Sequence, residues 1–382
     1  MSKKLSGARI AHIVSTFPPT LGGMGVVCRE EVKGLVGSGY EVDVYTLDGK
    51  IKEEDVERGY RVFRSKTWFK FGDAGAILAL CLKLRKYDLV HLHFPFYGSM
   101  HMVWLAKVLF KQKYIVTYHM DVELKGVKKF LQKIYDKLFV GKVLSNAEKV
   151  ITVDRGHLEN STFFKYIDKE KIVENFNGVD EKKFVKWPDA MNQEKEKFKA
   201  GKKTVLFVGN LIAFKRLDLL IEAISELDES ITLLVVGGGY EEKRYKKQVK
   251  DLGIENRVVF EGRCDSSSNM VNYYNLADCL VVPSDAGESF SLTSVEAMSS
   301  ECPIIISDIP GLRSRVENGL NGLLFKSGSG VDLMEKINSF FALSDDEKEQ
   351  MGKAGREIVL NKYTWEKHIK KLEENYEGII NK

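Results

Sequence analysis

Residues 204–227 read TVLFVGNLIAFKRLDLLIEAISEL, and this stretch decides the fold. Its first five residues are β-branched or large and apolar, which is typical of a buried strand. A loop that begins at Gly209 follows the strand. Apolar residues then recur at helical spacing on one face of the next segment, at Leu217, Leu220, Ile221 and Ile224. The stretch therefore predicts one strand–loop–helix unit, the repeating element of a parallel sheet covered by helices.

The same alternation of apolar runs and amphipathic segments extends over most of the chain. The predicted strands of the N-terminal half are Arg9–Ser15, Val42–Thr46, Leu89–His93, Tyr114–Tyr118 and Val150–Val153. Those of the C-terminal half are Thr204–Val208, Thr232–Val236, Val258–Glu261, Cys279–Val282 and Pro303–Ser307. We therefore expect an α/β protein with two doubly wound domains. Ligands of such sheets bind at the carboxyl ends of the strands, so a cleft between the two domains is the expected site.

The length of 382 residues fits two domains, at roughly 100–200 residues each. The polar segment Lys186–Lys203, which contains Pro188, has the composition of a linker. Residues 1–187 and 188–364 are therefore the predicted domains. The last segment, 365–382, predicts a helix whose apolar face we expect to pack back onto the first domain. That face consists of Trp365, Ile369, Leu372 and Tyr376.

Composition narrows the partners that the chain can have. No apolar run approaches the roughly 18–20 residues that span a bilayer, and the five cysteines form no Cys-x-x-Cys pair. We therefore expect a cytoplasmic protein. Residues 66–142 hold 14 Lys and Arg but only 5 Asp and Glu, a local excess that attracts phosphates, nucleic acid or acidic lipid.

Within this basic region, Val127–Val140 reads VKKFLQKIYDKLFV, an amphipathic helical pattern with lysines beside its apolar face. The apolar face comprises Val127, Phe130, Leu131, Ile134, Leu138 and Phe139. The lysines are Lys128, Lys129, Lys133 and Lys137. Two interpretations are open: a helix that packs on the domain with a solvated lysine face, or a helix that lies on an anionic membrane surface.

The segment Pro283–Met298, PSDAGESFSLTSVEAM, follows a predicted strand and opens a predicted helix. If the helix begins near Phe290, Glu288 lies at its mouth and Glu296 two turns further on. The backbone N–H groups of Phe290, Ser291 and Leu292 would then form an anion site. Lys215, in the loop after the 204–208 strand, suits a phosphate as a point charge.

A second glycine loop, FPPTLGGMG over Phe17–Gly25, also leads from a strand into a helix. The fingerprint of nicotinamide dinucleotide binding fails there, because Cys28 stands where its third glycine is required. The loop therefore predicts contact with an anion but does not identify that anion.

Histidines mark the ends of two predicted strands. His91 and His93 alternate on one strand, so both point to the same face, while His119 and Asp121 follow the next strand. These four side chains could ligate a metal and support a metallohydrolase. The alternative is a set of buried and site-lining histidines, with His119 contacting a substrate.

In this order and spacing, the segments resemble the retaining glycosyltransferases of family 4, the group 1 family, which have the GT-B fold. The resemblance covers nearly the whole chain. Its motifs are Pro18 to Gly23, Asp88–His93, Thr117–His119, Asn177–Asp180, Leu206–Gly209, Val236–Gly239, Arg257–Gly262, Pro283–Ser284 and the E-x(7)-E pair of Glu288 and Glu296.

The resemblance implies transfer of a sugar from a nucleotide sugar, most commonly a UDP or GDP sugar, with retention of anomeric configuration. It implies no metal and no cofactor besides the donor, and no nucleic acid partner. The acceptor would be a glycan, a lipid-linked molecule or a small molecule, as in envelope polysaccharide or glycolipid synthesis. A lipid-linked acceptor would suit an enzyme peripheral to the inner face of a membrane.

The resemblance also implies roles for individual residues. His119 and Glu288 would be catalytic at the transferred sugar, Glu296 would bind the ribose, Arg263 would border the base, and His93 and Asp121 would lie on the acceptor side. The remaining donor-binding residues would be Gly22, Gly23, Gly209, Asn210, Lys215, Arg216, Phe290, Ser291 and Leu292.

Two residues depart from the family pattern. Asn210 stands where the family usually has Arg, and Ser291 where it usually has Gly. Both changes bear on donor binding more than on the fold. They leave open the alternative that the chain is a non-catalytic relative that binds a nucleotide sugar. A nucleotide-sugar epimerase with the same fold is a further alternative.

Overall fold

The computed structural model describes the whole chain except residues 1–6, 20–21, 48–58, 66–69, 72–73, 78, 123–125, 189–201, 265–266 and 286. The chain forms two compact units. The first comprises Met1–Asn177 and Trp365–Lys382, and the second comprises Gly178–Thr364. Each unit is built on its own parallel sheet, which confirms the predicted α/β class with two doubly wound sheets.

The sheet of the first unit has seven parallel strands in the order β3-β2-β1-β6-β7-β8-β9. Its strands are β1 (Arg9–Ile13), β2 (Glu41–Leu47), β3 (Arg61–Ser65), β6 (Leu89–Phe94), β7 (Tyr114–Tyr118), β8 (Val150–Thr152) and β9 (Ile172–Glu174). A separate antiparallel pair is formed by β4 (Lys70–Phe71) and β5 (Ala74–Gly75). The described helices of this unit are α1 (Gly23–Gly37), α2 (Leu80–Leu84), α3 (Met100–Phe110), α4 (Val127–Tyr135), a π-helical turn (Asp136–Val140), α5 (Gly141–Ser145) and α6 (Arg155–Glu159).

The sheet of the second unit has six parallel strands in the order β12-β11-β10-β13-β14-β15. They are β10 (Lys203–Val208), β11 (Ile231–Val236), β12 (Val258–Gly262), β13 (Cys279–Val282), β14 (Ile304–Ser307) and β15 (Gly322–Phe325). Its described helices are α7 (Leu217–Glu226), α8 (Glu242–Asp251), α9 (Ser267–Leu276), α10 (Leu292–Ser299), α11 (Pro310–Arg313), α12 (Gly330–Ala342) and α13 (Asp345–Lys362).

The terminal helix α14 (Trp365–Ile380) completes the core of the first unit. Leu372 and Tyr376 are fully buried there, on the sheet face that α1 also covers. The two helices touch at Gly34 of α1, where an added Cβ would lie 2.5 Å from Cγ1 of Ile369. A side chain at position 34 would therefore force the helices apart.

The boundary between the units lies ten residues before the predicted one, at Asn177 rather than residue 187. The segment from Gly178 onward is bound by the second unit. The carbonyl of Phe184 accepts hydrogen bonds from Ser299 Oγ and from Arg356 Nη1, at 2.7 and 3.1 Å. These hydrogen bonds, rather than the polar composition after residue 186, set the boundary.

We predict that Gly34→Val destabilises the first unit by about 1–3 kcal/mol, because it overpacks the contact with Ile369. Gly37→Ala is the matched control on the same helix, since a Cβ at position 37 meets nothing within 4 Å. Urea unfolding followed by circular dichroism measures both. Equal unfolding midpoints for Gly34→Val and the unmodified protein would contradict the packing described here.

Candidate functional site

The loops that follow β10 and β13 bring two charged side chains together in the second unit. Nζ of Lys215 donates a hydrogen bond to Oε2 of Glu288. The same carboxylate accepts from Ser284 Oγ at 3.0 Å and from the N–H of Ser291 at 3.3 Å. Only 9% of the surface of Glu288 is accessible to solvent. Three donors therefore fix this carboxylate in one position.

The surroundings of Glu288 decide its charge. Burial alone would raise the pKa of this carboxyl group. The charge of Lys215 and the hydrogen bonds from Lys215, Ser284 and Ser291 outweigh burial, so the pKa of Glu288 lies below its usual value. Glu288 is thus an anion at neutral pH. It suits stabilisation of positive charge on a substrate and does not suit donation of a proton.

Glu296, eight residues later on α10, has the opposite environment. Its Oε2 accepts a hydrogen bond from Oη of the buried Tyr274 at 2.7 Å. Burial raises the pKa of Glu296 to about 7, although the bond from Tyr274 and the charge of Lys183 both lower it. Near neutral pH this group therefore exists in both protonation states and can donate or accept a hydrogen bond, which suits a pair of hydroxyl groups.

The start of α10 differs from the expectation at two points. The helix begins at Leu292, two residues after Phe290. The ring of Phe290 is buried with the Arg315 guanidinium 4.0 Å from its centroid, so this side chain serves packing. The N–H of Ser291 donates to Glu288. The predicted anion site formed by three N–H groups is therefore partly occupied by the protein's own carboxylate.

Ser291 is held in a strained conformation. Its φ of 53° lies in the left-handed region that favours glycine, and its Oγ accepts from the N–H of Ser294 as the N-cap of α10. The hydroxyl cap thus offsets the strain that the side chain brings.

Close backbone contacts join the glycines beside this site. Gly237 packs directly on the carbonyl of Gly209, which leaves no room for a Cβ. The side chain of Arg263 lies over Gly238, with its Cγ 2.9 Å from the position that a Cβ would take. The structure therefore brings Gly209 and Arg263 to the same glycine run at the carboxyl ends of β10, β11 and β12.

Of the two cations at the end of the β10 loop, only Lys215 contacts Glu288 in the described structure. Nε of Arg216 lies 3.3 Å from Oδ1 of Asp218, on the helix that Arg216 caps. Asn210 is exposed and carries no charge. Arg216 therefore does not replace the arginine that the family pattern has at position 210.

In the first unit, the predicted glycine loop places Gly22 as the cap of α1 and Gly23 as its first residue. Gly25 is required by a close approach, because a Cβ there would lie 2.8 Å from the carbonyl oxygen of Thr16. The start of this 15-residue helix is therefore held against the end of β1. Thr20 and Leu21, which precede it, lie outside the described residues.

His119 follows β7 and is 5% exposed. Its Nε2 lies 2.9 Å from Nδ1 of His93. Burial, with a smaller contribution from the charge of His368, lowers the pKa of His119 to about 3. His119 is therefore a neutral imidazole at physiological pH, and it can donate one hydrogen bond and accept another but cannot supply a positive charge.

The four-residue metal set proposed from the sequence does not assemble. Asp121 is exposed and accepts hydrogen bonds from Tyr118 and from Ser161. His93 is fully buried, so it reaches the surface only through His119. Among the described residues, His91 and His93 therefore belong to a group of ligand-type side chains that does not include His119 or Asp121.

A different group surrounds His93, and two of its members were not foreseen. His12 of β1 and Glu31 of α1 join His91 and His93, with four ligand-type atoms within 4.8 Å of one another. Both nitrogens of His12, His91 and His93 already have hydrogen-bond partners, so an ion would have to displace two of those bonds, the one between His12 and His93 and the one between His91 and Tyr376. Glu31 lies on the buried stripe of α1, and an acid at that helical position was the signal available in the sequence.

The helix α4 and the π-helical turn after it present their apolar side chains to solvent. Phe130, Leu131, Ile134 and Leu138 keep 66, 58, 43 and 48% of their surfaces exposed. The side that faces the domain carries the fully buried Val140 and Tyr135, which packs against the core. It includes the buried Gln132, which donates to Tyr97 Oη at 3.0 Å. The interpretation of α4 as an ordinary packing helix is therefore wrong for these four residues.

Among the described residues, no helix combines the length and the apolar composition that crossing a bilayer requires.

Comparison with known proteins assigns the two halves to two family descriptions. Residues 21–183 match the model described as Glycosyltransferase Family 4, and residues 189–358 match the one described as Glycosyl transferases group 1. An uncharacterized glycosyltransferase of Methanocaldococcus jannaschii is 26% identical over 380 residues, covering 94% of this chain and 95% of that protein.

A D-inositol 3-phosphate glycosyltransferase of Corynebacterium aurimucosum is 27% identical over 391 residues, covering 93% of this chain and 90% of that protein. Among solved structures, that of Anabaena HepE in complex with UDP-glucose superposes with a TM-score of 0.79. The two sequences are 19% identical, and the match covers 97% of this chain and 99% of that one. The likeness shows that the two proteins share a fold.

We predict that two substitutions at Ser291 differ in their effect on stability. Ser291→Ala removes the cap of α10 and keeps the strained φ, so it should lower stability by about 1 kcal/mol. Ser291→Gly removes the same cap but relieves the strain, so its unfolding midpoint in urea should stay close to that of the unmodified protein. If glycine destabilises as much as alanine, the left-handed conformation is not a source of strain at this position.

Proposed function

Because the chain belongs to the family 4, group 1 glycosyltransferases, we propose that it transfers a sugar from a nucleoside diphosphate sugar to an acceptor hydroxyl group. We further propose that the transfer retains the anomeric configuration and requires no metal ion. The observation that carries this proposal is the ion pair of Lys215 with the buried Glu288, placed at the carboxyl ends of the strands in the second unit.

The departing group of such a reaction is a nucleoside diphosphate, on which negative charge accumulates. Lys215 supplies a fixed positive charge, and the N-terminus of α10 lies beside it through the bond from Ser291 to Glu288. Preorganised positive charge of this kind stabilises a transition state most where charge develops. We assign the diphosphate to this corner, bounded by Gly209 and Lys215, with the base near Arg263.

The two glutamates have different proposed roles, one at the transferred sugar and one at the ribose. Glu288 is held as an anion, which suits contact with a sugar that gains positive character as its bond to phosphate breaks. Glu296 has a pKa of about 7 and suits the two ribose hydroxyls, since it can accept from one and donate to the other. The exposed Asn210 adds no charge, so Lys215 is the principal cation for the diphosphate.

The donor is proposed to be a UDP or GDP sugar. HepE was solved with UDP-glucose, which supports the uridine nucleotide as the first to test. The acceptor is proposed to be a glycan, a lipid-linked molecule or a small molecule, and residues of the first unit, His119 and Asp121 among them, would contact it or the transferred sugar.

The exposed apolar side of α4 favours an acceptor at an anionic membrane surface. Phe130, Leu131, Ile134 and Leu138 would enter the boundary between headgroups and acyl chains, while the exposed Lys133 and Lys137 would meet anionic headgroups. We therefore propose peripheral membrane binding through this helix.

Glu288→Gln should lower kcat about 100-fold or more, because it removes the fixed anion and leaves the shape of the side chain. Glu335→Gln, on an exposed face of α12, is the matched control and should leave kcat unchanged. The assay is sugar transfer from UDP and GDP sugars with EDTA present. Full activity of Glu288→Gln would contradict the role of this carboxylate, and loss of all activity in EDTA would contradict metal-free transfer.

Lys215→Met should weaken binding of UDP or GDP by about tenfold or more, which corresponds to roughly one charge-assisted interaction. Isothermal titration calorimetry measures the affinity directly. Arg216→Met is the comparison, because that guanidinium lies against Asp218 of α7 rather than against Glu288 and should contribute less. Equal losses from both variants would show that the diphosphate does not distinguish the two cations.

The double variant Phe130→Ser, Leu131→Ser should abolish flotation with phosphatidylglycerol vesicles at low salt, since it removes the two most exposed apolar side chains of α4. Leu360→Ser, an exposed apolar position on α13, is the control and should float like the unmodified protein. If the unmodified protein does not float with these vesicles, membrane binding through α4 is wrong.

A further inference from the structure

A continuous chain of hydrogen bonds leads from His119 into the interior of the first unit. It joins side chains of β1, β6, β7 and α14, and we call it the histidine chain. Its links are His119 Nε2 to His93 Nδ1 (2.9 Å), His93 Nε2 to His12 Nδ1 (3.0 Å), His12 Nε2 to Tyr376 Oη (3.2 Å), Tyr376 Oη to His91 Nδ1 (2.7 Å) and His91 Nε2 to Thr117 Oγ1 (2.6 Å).

Each histidine in the chain carries a single proton at neutral pH. Burial lowers the pKa of His12 to about 3. Burial, with the charges of neighbouring histidines, also holds the pKa values of His91 and His93 well below the usual value. A neutral imidazole has one N–H and one bare nitrogen. Each link between neighbours requires one proton. Among the described residues, the buried hydroxyl of Tyr376 has only His12 and His91 as partners, so it donates to one of them and accepts from the other. The five links therefore all point in the same direction. The protons lie either all toward His119 or all toward Thr117.

The direction of the chain decides the tautomer of His119. When all links point toward His119, its Nε2 accepts from His93 and its own proton lies on Nδ1. When all links point the other way, the proton lies on Nε2 and Nδ1 is bare. Within the described part of the chain, Nδ1 of His119 has no hydrogen-bond partner, so this is the nitrogen left to meet a substrate.

One oxygen of Glu31 is not protonated, whichever charge the group carries. Nδ1 of His368 lies 2.7 Å from the carbonyl oxygen of Phe176, which can only accept, so that nitrogen holds a proton. Nε2 of His368 lies 3.0 Å from Oε1 of Glu31. The proton of this contact lies between Nε2 and Oε1, and Oε2 is left as a bare acceptor.

Oε2 of Glu31 is buried, has no hydrogen-bond partner among the residues that the structure describes, and faces the histidine chain. It lies 3.6 Å from His12 Nδ1, 3.7 Å from His91 Nδ1 and 3.5 Å from His93 Nε2. With the links directed toward His119, the first two nitrogens carry protons and only the third is bare. With the links reversed, one nitrogen carries a proton and two bare nitrogens face the oxygen.

We propose that Glu31 directs the histidine chain toward His119 and so fixes its proton on Nδ1. His119 then presents a hydrogen-bond donor to the substrate and is not a general base. Glu31, His12 and His93 are positioning residues, because they act through His119. The use of this donor on a sugar rests on the proposed function, but the tautomer itself does not.

A metal ion at the same cluster would require a different arrangement. It would occupy His12 Nδ1, His91 Nδ1 and His93 Nε2, and it would break the link between His12 and His93. The metal content of the purified protein is therefore part of the test.

The experiment measures the tautomer of His119 by 15N NMR on the full chain labelled in its histidine side chains. His119→Asn assigns the resonances, and no substrate is added. We expect a protonated Nδ1 and a bare Nε2 in the unmodified protein at neutral pH. A bare Nδ1, or one equivalent of bound transition metal, would overturn the proposal without any variant.

Two substitutions of Glu31 then separate electrostatic direction from structural support. Glu31→Leu removes the bare oxygen and should lower the ratio of the Nδ1–H to the Nε2–H tautomer of His119 about tenfold or more, the scale of one buried hydrogen bond. Glu31→Gln should restore the ratio, because its amide can donate to His368 and keep an oxygen toward the histidines. Glu30→Leu, the neighbouring position on α1, should leave the ratio unchanged.

An unchanged ratio in a folded Glu31→Leu variant would overturn the role of Glu31. Activity separates this proposal from the proposed function. An active enzyme whose His119 has a bare Nδ1 contradicts only the tautomer, whereas an inactive protein with the expected tautomer contradicts only the sugar transfer.

Discussion

Both units depend on one constraint: a parallel sheet exposes no face to water and must be covered by helices on both sides. The interior strand β6 shows the result, since all six of its residues are buried. Polar side chains are then found in one of two locations. They collect in the loops beyond the carboxyl ends of the strands, or they remain inside and bind one another.

In the second unit, polar side chains collect in the loops beyond the strand ends. Lys215, Ser284 and Glu288 follow strand ends and meet around one carboxylate. The two glutamates of the site have the same side chain and opposite environments, and the difference lies in their partners. A cation and two further donors hold Glu288 ionised, whereas burial with a single phenol hydroxyl partner lets Glu296 titrate near neutrality. In the first unit, polar side chains remain inside, with imidazoles that satisfy one another in the core.

The sequence predicted what depends on local pattern. All ten predicted strands are present, with ends within two residues of those expected, because each has a long enough apolar run. The edge strands β3, β9 and β15 were missed. Each contains residues that are only partly buried, because one side of an edge strand is only partly covered, and β3 carries Arg61 and Arg64.

The sequence predicted those residues of the candidate site that a fixed spacing marks. It did not predict those that only tertiary packing brings together. The interval between Glu288 and Glu296 marked both residues, but the sequence did not reveal that Ser291 N–H bonds to Glu288. His12 lacks any motif, and the pairing of β1 with β6 places it beside His91. Glu31 lies on the buried side of α1, and the packing of that helix on the sheet brings its carboxylate to the histidines. The helix α4 was ambiguous because a hydrophobic stripe gives no indication of which side the domain covers.

The return of α14 to the first unit has a consequence for the order of folding during synthesis. The second unit is contiguous in sequence, from Gly178 to Thr364, and holds all of its own core when that stretch has left the ribosome. The first unit is interrupted, and Leu372 and Tyr376 fill its core only after the second unit has been made. The half of the protein that is translated first is therefore the half that is completed last.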